Sequence, residues 1–197
     1  MSRTTPAPPP PRLAPERPLP PYAYLPGRTP HPTRDPGGHS YGAPPETPAP
    51  PDPTDWRACG DYLYGIDLFN RGYFWEAHEA WEGLWVACGR RGATAAYLQG
   101  LINLAAAGFK ARWGNARGLR ANAATARRLF LAAAGQLRSD GPRHARAPRH
   151  MGLDVRWLAE QAAALAREQP AAGAEGAGAA GSDEPPALAF DVILRPV

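Results

Sequence analysis

Proline placement constrains this chain more than any other feature. Of its 25 prolines, 19 lie in residues 1–53, and none lies between Thr54 and Gly141. Proline inside a helix removes a backbone donor and clashes with the preceding turn, at a cost of about 3 kcal/mol. The first 53 residues are therefore barred from regular helix and from the centre of a sheet, while the 88 residues that follow are free to be helical. That division predicts one folded core, a proline-rich arm before it and a looser tail after it. A core of about 85–115 residues can bury an apolar interior without metal or disulfide staples.

Within the arm, residues 1–19 and 43–53 are low in complexity and read as disordered or polyproline II. Residues 20–42 differ. They carry Tyr22, Tyr24, Tyr41, Leu25, His31 and His39, with a turn signal at Asp35-Pro36-Gly37. Such surface is expected to lie against the core, so residues 20–53 are read as a packing arm plus linker.

Residues 54–169 are read as the helical domain. The first helix is expected from an N-cap at Asp55 to Arg71, with the stripe Trp56, Cys59, Leu63, Ile66 and Phe69. The second runs from about Tyr73 to Cys88. The third, from about Ala93 to Trp113, repeats Tyr97, Leu101, Leu104, Ala105, Gly108 and Phe109. Gly108 and its neighbouring alanines would let another helix approach closely. Asn115 caps a fourth helix, Ala116 to Leu137, with Leu119, Ala123, Ala126, Phe130 and Leu137 inward. Asp154 caps a fifth, built on Val155, Leu158, Ala162 and Leu165. The fold class is therefore all-α, a compact antiparallel bundle of four to five helices behind a proline-rich arm. Residues 170–197 form a flexible tail ending in a short apolar segment, Ala187 to Leu194.

Several function classes recede on composition. Cys59 and Cys88 stand alone, so no zinc knuckle or redox pair is indicated. No apolar run is long enough to span a bilayer, and no signal peptide is evident, so the expected location is the cytoplasm. Charge is polarised. Asp55–Trp85 holds six acids against two bases, and Lys110–Arg156 holds eleven bases against two acids. The basic fourth helix and following loop could bind an anion or nucleic acid. Cancellation by neighbouring acidic helices weighs against nucleic acid.

Residues 69–85, Phe-Asn-Arg-Gly-Tyr-Phe-Trp-Glu-Ala-His-Glu-Ala-Trp-Glu-Gly-Leu-Trp, are the most distinctive stretch. Together with Leu98-Gln99-Gly100-Leu101-Ile102 and Ala105 to Lys110, they resemble domain-of-unknown-function family 309. The arm motifs Leu25-Pro26-Gly27, Pro30-His31-Pro32 and Gly38-His39-Ser40 are similar to an N-terminal piece carried by some members. The resemblance implies a small all-helical fold and brings no activity with it.

The residues themselves offer one candidate site. At 100° per residue, with Phe74 at the centre of the apolar face, His78 falls at about 40° and Glu82 at about 80°. Spaced i and i+4, the two share one edge of the core. They can chelate a divalent metal through nitrogen and oxygen, or form a structural pair in which the carboxylate fixes the imidazole tautomer. Two ligands do not make a tight site, so His31 or His39 from the arm is expected to complete it. Glu79, farther round the helix, is a solvated residue or a candidate catalytic base. Gln99, Asn103 and Lys110 form a polar stripe on the third helix that can line the same cleft; Lys110 is the single lysine beside 21 arginines. Trp75 lies outside the main stripe, and is either a homodimer surface or core beneath the arm. His144 and His150 read as solvated loop residues. A helical binding module, a metal-dependent protein, a hydrolase among the options, and an anion binder all remain open.

Overall fold

The computed structural model describes residues 9–44, 48–140, 149–167, 190 and 192–197. Pro142, His144 and the 171–186 linker lie outside them. A 3-10 turn, Trp56–Ala58, leads into α1 (Gly60–Asn70), α2 (Phe74–Ala87), α3 (Gly92–Arg112) and α4 (Ala116–Asp140). Two short antiparallel strands, β1 (Arg149–His150) and β2 (Leu153–Asp154), precede α5 (Val155–Arg167). Each helix packs on the next in sequence, α1 on α2 through α4 on α5. Connections of three or four residues from α1 to α2, α2 to α3 and α3 to α4 leave these helices little choice but to run antiparallel. The result is a compact five-helix bundle with very little sheet.

The inward residues follow the 3.6-residue period. Ile66, Phe69, Phe74, Ala77, Trp81, Leu101, Leu104, Leu119, Ala126, Phe130, Val155 and Leu158 are all buried. Two expected caps are present. Asn115 accepts from the Gly118 N–H at 2.7 Å, and Asp154 from the Arg156 and Trp157 N–H groups at 2.9 and 3.0 Å. Asp55 is different, because it makes no side-chain cap. The first helix starts later than expected, since Cys59 leaves helical geometry (φ −86°, ψ 88°) while Trp56 turns inward against Tyr62.

Two aromatic residues fix how α2 sits. A Cβ on Gly65 would lie 2.2 Å from Nε1 of Trp81, and one on Gly108 would lie 2.7 Å from the Phe74 ring. The close approach expected at Gly108 is thus made by a phenyl ring of α2. Trp81 also donates from Nε1 to the Tyr62 carbonyl at 3.3 Å. Tyr62 is itself fully buried. Its hydroxyl lies 2.7 Å from that of Tyr97 and donates to the Met151 carbonyl at 2.7 Å.

Segments outside the helices attach to α1. Asp67, buried, accepts the Leu13 N–H at 2.9 Å and the Ala14 N–H at 2.9 Å, with the guanidinium groups of Arg12 and Arg71 each 3.5 Å away. Composition points to disorder over residues 9–19, yet Ala14 is buried here. Asn70 clamps the chain's other end, donating to the Leu194 carbonyl and accepting its N–H, both at 2.8 Å. Among the described residues, no helix is long and apolar enough to cross a membrane. The carboxylates of Asp61 and Asp67 pair with Arg17 and with Arg12 and Arg71, respectively.

A methyl group normally stabilises a helix relative to glycine by roughly 0.5–1 kcal/mol. Gly65→Ala is expected to do the reverse, lowering stability by about 1–3 kcal/mol through overpacking against Trp81. Urea denaturation measures this, and an unchanged or raised midpoint contradicts it.

Candidate metal site and the arm contacts

Helix α2 carries the site because its rings point inward and its polar residues are left at the edges. His78 Nε2 lies 3.6 Å from Glu82 Oε2, with the imidazole 32% and the carboxylate 47% exposed. Glu79, exposed, joins them. Among the described residues, His78, Glu79 and Glu82 form a cluster able to hold a metal ion, each offering one ligand atom within 4.8 Å of the others.

The imidazole is tuned by its surroundings. Burial lowers its pKa below the ordinary histidine value, against the opposing effects of Glu82 and of a hydrogen bond to the Ile102 backbone on α3. The ring is thus biased toward the neutral form a metal requires. Burial raises the Glu79 pKa, and repulsion from Glu82 and Glu76 adds to it. The two neighbouring carboxylates therefore oppose the ionisation of Glu79.

The other expected site residues are placed as follows. Neither arm histidine joins the cluster. His39 Nε2 lies 3.2 Å from Glu76 Oε1, both side chains being buried, and its Nδ1 lies 2.9 Å from the Ser40 hydroxyl. His31 bonds through its backbone N–H to Asp35, and its ring meets Trp75 edge-on and Tyr24 at 4.9 Å. His39 is thus placed against Glu76, and His31 against Trp75 and Tyr24. Asn103 is spent on its own helix, donating to the Gln99 carbonyl at 2.8 Å. Lys110 turns away along α3, its ammonium 4.7 Å from the Trp113 ring and 5.5 Å from that of Phe109. Trp75 contacts Tyr24 and His31, and Tyr24 in turn stacks on Phe109 at 6.0 Å.

Sequence reasoning missed Glu76. On the wheel it falls at about 200° from Phe74, opposite the core, yet it is 6% exposed. Its Oε1 also accepts the Tyr24 N–H at 2.8 Å. The residues that bury it belong to the arm, so no helical periodicity marks it. The arm histidines, read there as partners of His78 and Glu82, are the one sequence signal that points toward it.

Residues 62–122 match the family model described as Domain of unknown function (DUF309). The DUF309 segment runs from α1 into α4 and contains the whole His78, Glu79 and Glu82 cluster. Glu76 lies inside it, and its partners Tyr24 and His39 lie outside. No curated protein and no solved structure matches the chain.

His150, also outside the DUF309 segment, corrects the solvated reading. It is buried, with Nε2 3.1 Å from the Thr94 hydroxyl and its ring edge-on to Tyr97 at 5.0 Å. The β1–β2 turn folds it inward. Burial alone lowers its pKa from 6.5 to about 4. Between those values the unfolded chain binds a proton that the native state refuses. Stability is therefore full above about pH 6.5 and falls as pH drops toward 4, by roughly 3 kcal/mol from this group. His150→Gln is expected to remove that portion of the acid-side loss in unfolding free energy. Parallel stability–pH curves for the two proteins contradict the assignment.

Proposed function

We propose that this chain is a helical module that binds a divalent transition metal through His78, Glu79 and Glu82. The spacing of the ligand atoms carries the reading. Nε2 of His78 and Oε2 of Glu82 are 3.6 Å apart, slightly long for a hydrogen bond. Two ligands each about 2.0–2.1 Å from a tetrahedral ion lie about 3.4 Å from one another. The pair is thus spaced for an ion between its atoms better than for direct contact. Glu79 and Glu82 are exposed enough to close the remaining distance by rotation about their side-chain bonds.

Three further features support it. The Ile102 backbone acts on the imidazole as a hydrogen-bonding neighbour, and a neighbour of that kind fixes the ring orientation of a metal-binding histidine. Burial favours its neutral form. A dication relieves the repulsion among the carboxylates. One imidazole with two carboxylates suits zinc, nickel or ferrous iron better than magnesium or calcium. All three ligands come from one side, so the remaining positions face solvent and stay open to water or a small ligand. In this reading Glu79 is a ligand, not a base.

Calorimetric titration of metal-free protein with Zn²⁺ is expected to show one site per chain. His78→Ala weakens it by at least about tenfold. Affinity also falls on acidification through the imidazole range, because the ion and the proton compete for one nitrogen. Absence of binding, or equal affinity in His78→Ala, contradicts the proposal.

A further inference from the structure

A second group of reactive side chains lies on the other side of α2, where the arm docks. The loop from His31 to Tyr41 is tightly built. The Ser40 N–H donates to the Pro32 carbonyl at 3.0 Å, and the Asp35 carboxylate accepts the His31 N–H. A Cβ on Gly38 would sit 2.3 Å from the carbonyl oxygens of His31 and Pro32, so the loop closes only around glycine there. That closure aims His39 at the buried Glu76.

The contacts form an unbroken chain: Ser40 Oγ to His39 Nδ1 at 2.9 Å, then His39 Nε2 to Glu76 Oε1 at 3.2 Å. With its proton on Nε2 toward the carboxylate, the imidazole presents Nδ1 as an acceptor for the Ser40 hydroxyl. A carboxylate in this position holds the ring in one tautomer and stabilises the imidazolium when it forms. Glu76 is suited to that role, because its side chain is 5% exposed. Its other oxygen, Oε2, is buried with no hydrogen-bond partner among the described residues. Structural burial of a carboxylate ordinarily satisfies both oxygens, as Asp67 illustrates with N–H donors on each. The hydroxyl end is open by comparison. Ser40 is only half-buried, Tyr41 is exposed, and no described atom lies within 4 Å of the place a Cβ on Gly42 would take.

We propose that Ser40 is an activated nucleophile that accepts an acyl group from an activated ester, with His39 as its base and Glu76 as the positioning residue. Ser40 Oγ bonds to the carbonyl carbon while its proton passes to His39 Nδ1. The carbon–oxygen bond to the leaving group breaks, and the leaving oxygen takes that proton. Water, deprotonated by the same nitrogen, then attacks the acyl carbon and releases the acid, returning the proton to Ser40. The site is separate from the metal cluster, and its test does not depend on metal.

The probe is a fluorophosphonate, from which Ser40 Oγ displaces fluoride to form a bond to phosphorus. Incubation with the full-length, metal-free chain, followed by peptide mass spectrometry, is expected to place one adduct on Ser40. Ser40→Ala abolishes it. His39→Ala slows labelling at least about tenfold, within the range supplied by a general base, and free imidazole restores it, which a purely structural histidine would not allow. Circular dichroism confirms that each variant is folded. A wild-type chain without an adduct on Ser40, or His39→Ala labelling at the wild-type rate, overturns the proposal.

Discussion

Trp81 seated on Gly65 is the contact on which the rest of this structure depends. It sets the rotation of α2 against α1, and Phe74 on Gly108 sets it against α3. A helix turned by one residue moves every side chain by about 100°. With both rings locked inward, His78 comes to the edge of the core beside Ile102, Glu79 and Glu82 face outward, and Glu76 faces the arm. The His78, Glu79 and Glu82 cluster and the buried Glu76 are thus arranged around one helix whose orientation two glycines permit.

Two buried carboxylates show how the N-terminal segment is used. Removing a carboxylate from water is costly unless donors replace the solvent. Asp67 receives the N–H groups of Leu13 and Ala14 and lies beside two guanidinium groups. It is an anchor, compensated on both oxygens. Glu76 receives the Tyr24 N–H and the His39 ring on one oxygen only. The asymmetry distinguishes a carboxylate that fastens a segment from one that also orients an imidazole. A proline-rich stretch suits both jobs, because its N–H groups are not consumed by helix or sheet.

The bundle was legible because its signals are local. Absence of proline permits helix, the 3.6-residue period selects the buried face, and Asn115 and Asp154 mark helix starts by their own side chains. The edge position of His78 and Glu82 followed from the same wheel. What the wheel cannot see is burial by anything other than another helix. Glu76 looks outward on it and is covered by Tyr24 and His39. His150 reads as a loop residue until a two-strand turn folds it under Tyr97. Lys110 reads as a cleft residue, but its ammonium finds the Trp113 ring one turn farther along the same helix. Asp55 has the right side chain for a cap, and the demand to bury Trp56 overrides it. Glu76 and His150 are misses of one kind, a contact distant in sequence outweighing a local preference, whereas Lys110 and Asp55 are decided by neighbours a few residues away.

One imidazole and two carboxylates of α2 are proposed to meet at a single ion. X-ray absorption spectroscopy of the zinc-loaded chain addresses it directly. The expected spectrum has nitrogen and oxygen neighbours at about 2.0–2.2 Å, with the multiple scattering of a single imidazole that disappears in His78→Ala. A shell of oxygen alone, or an imidazole signal that survives that substitution, would contradict it.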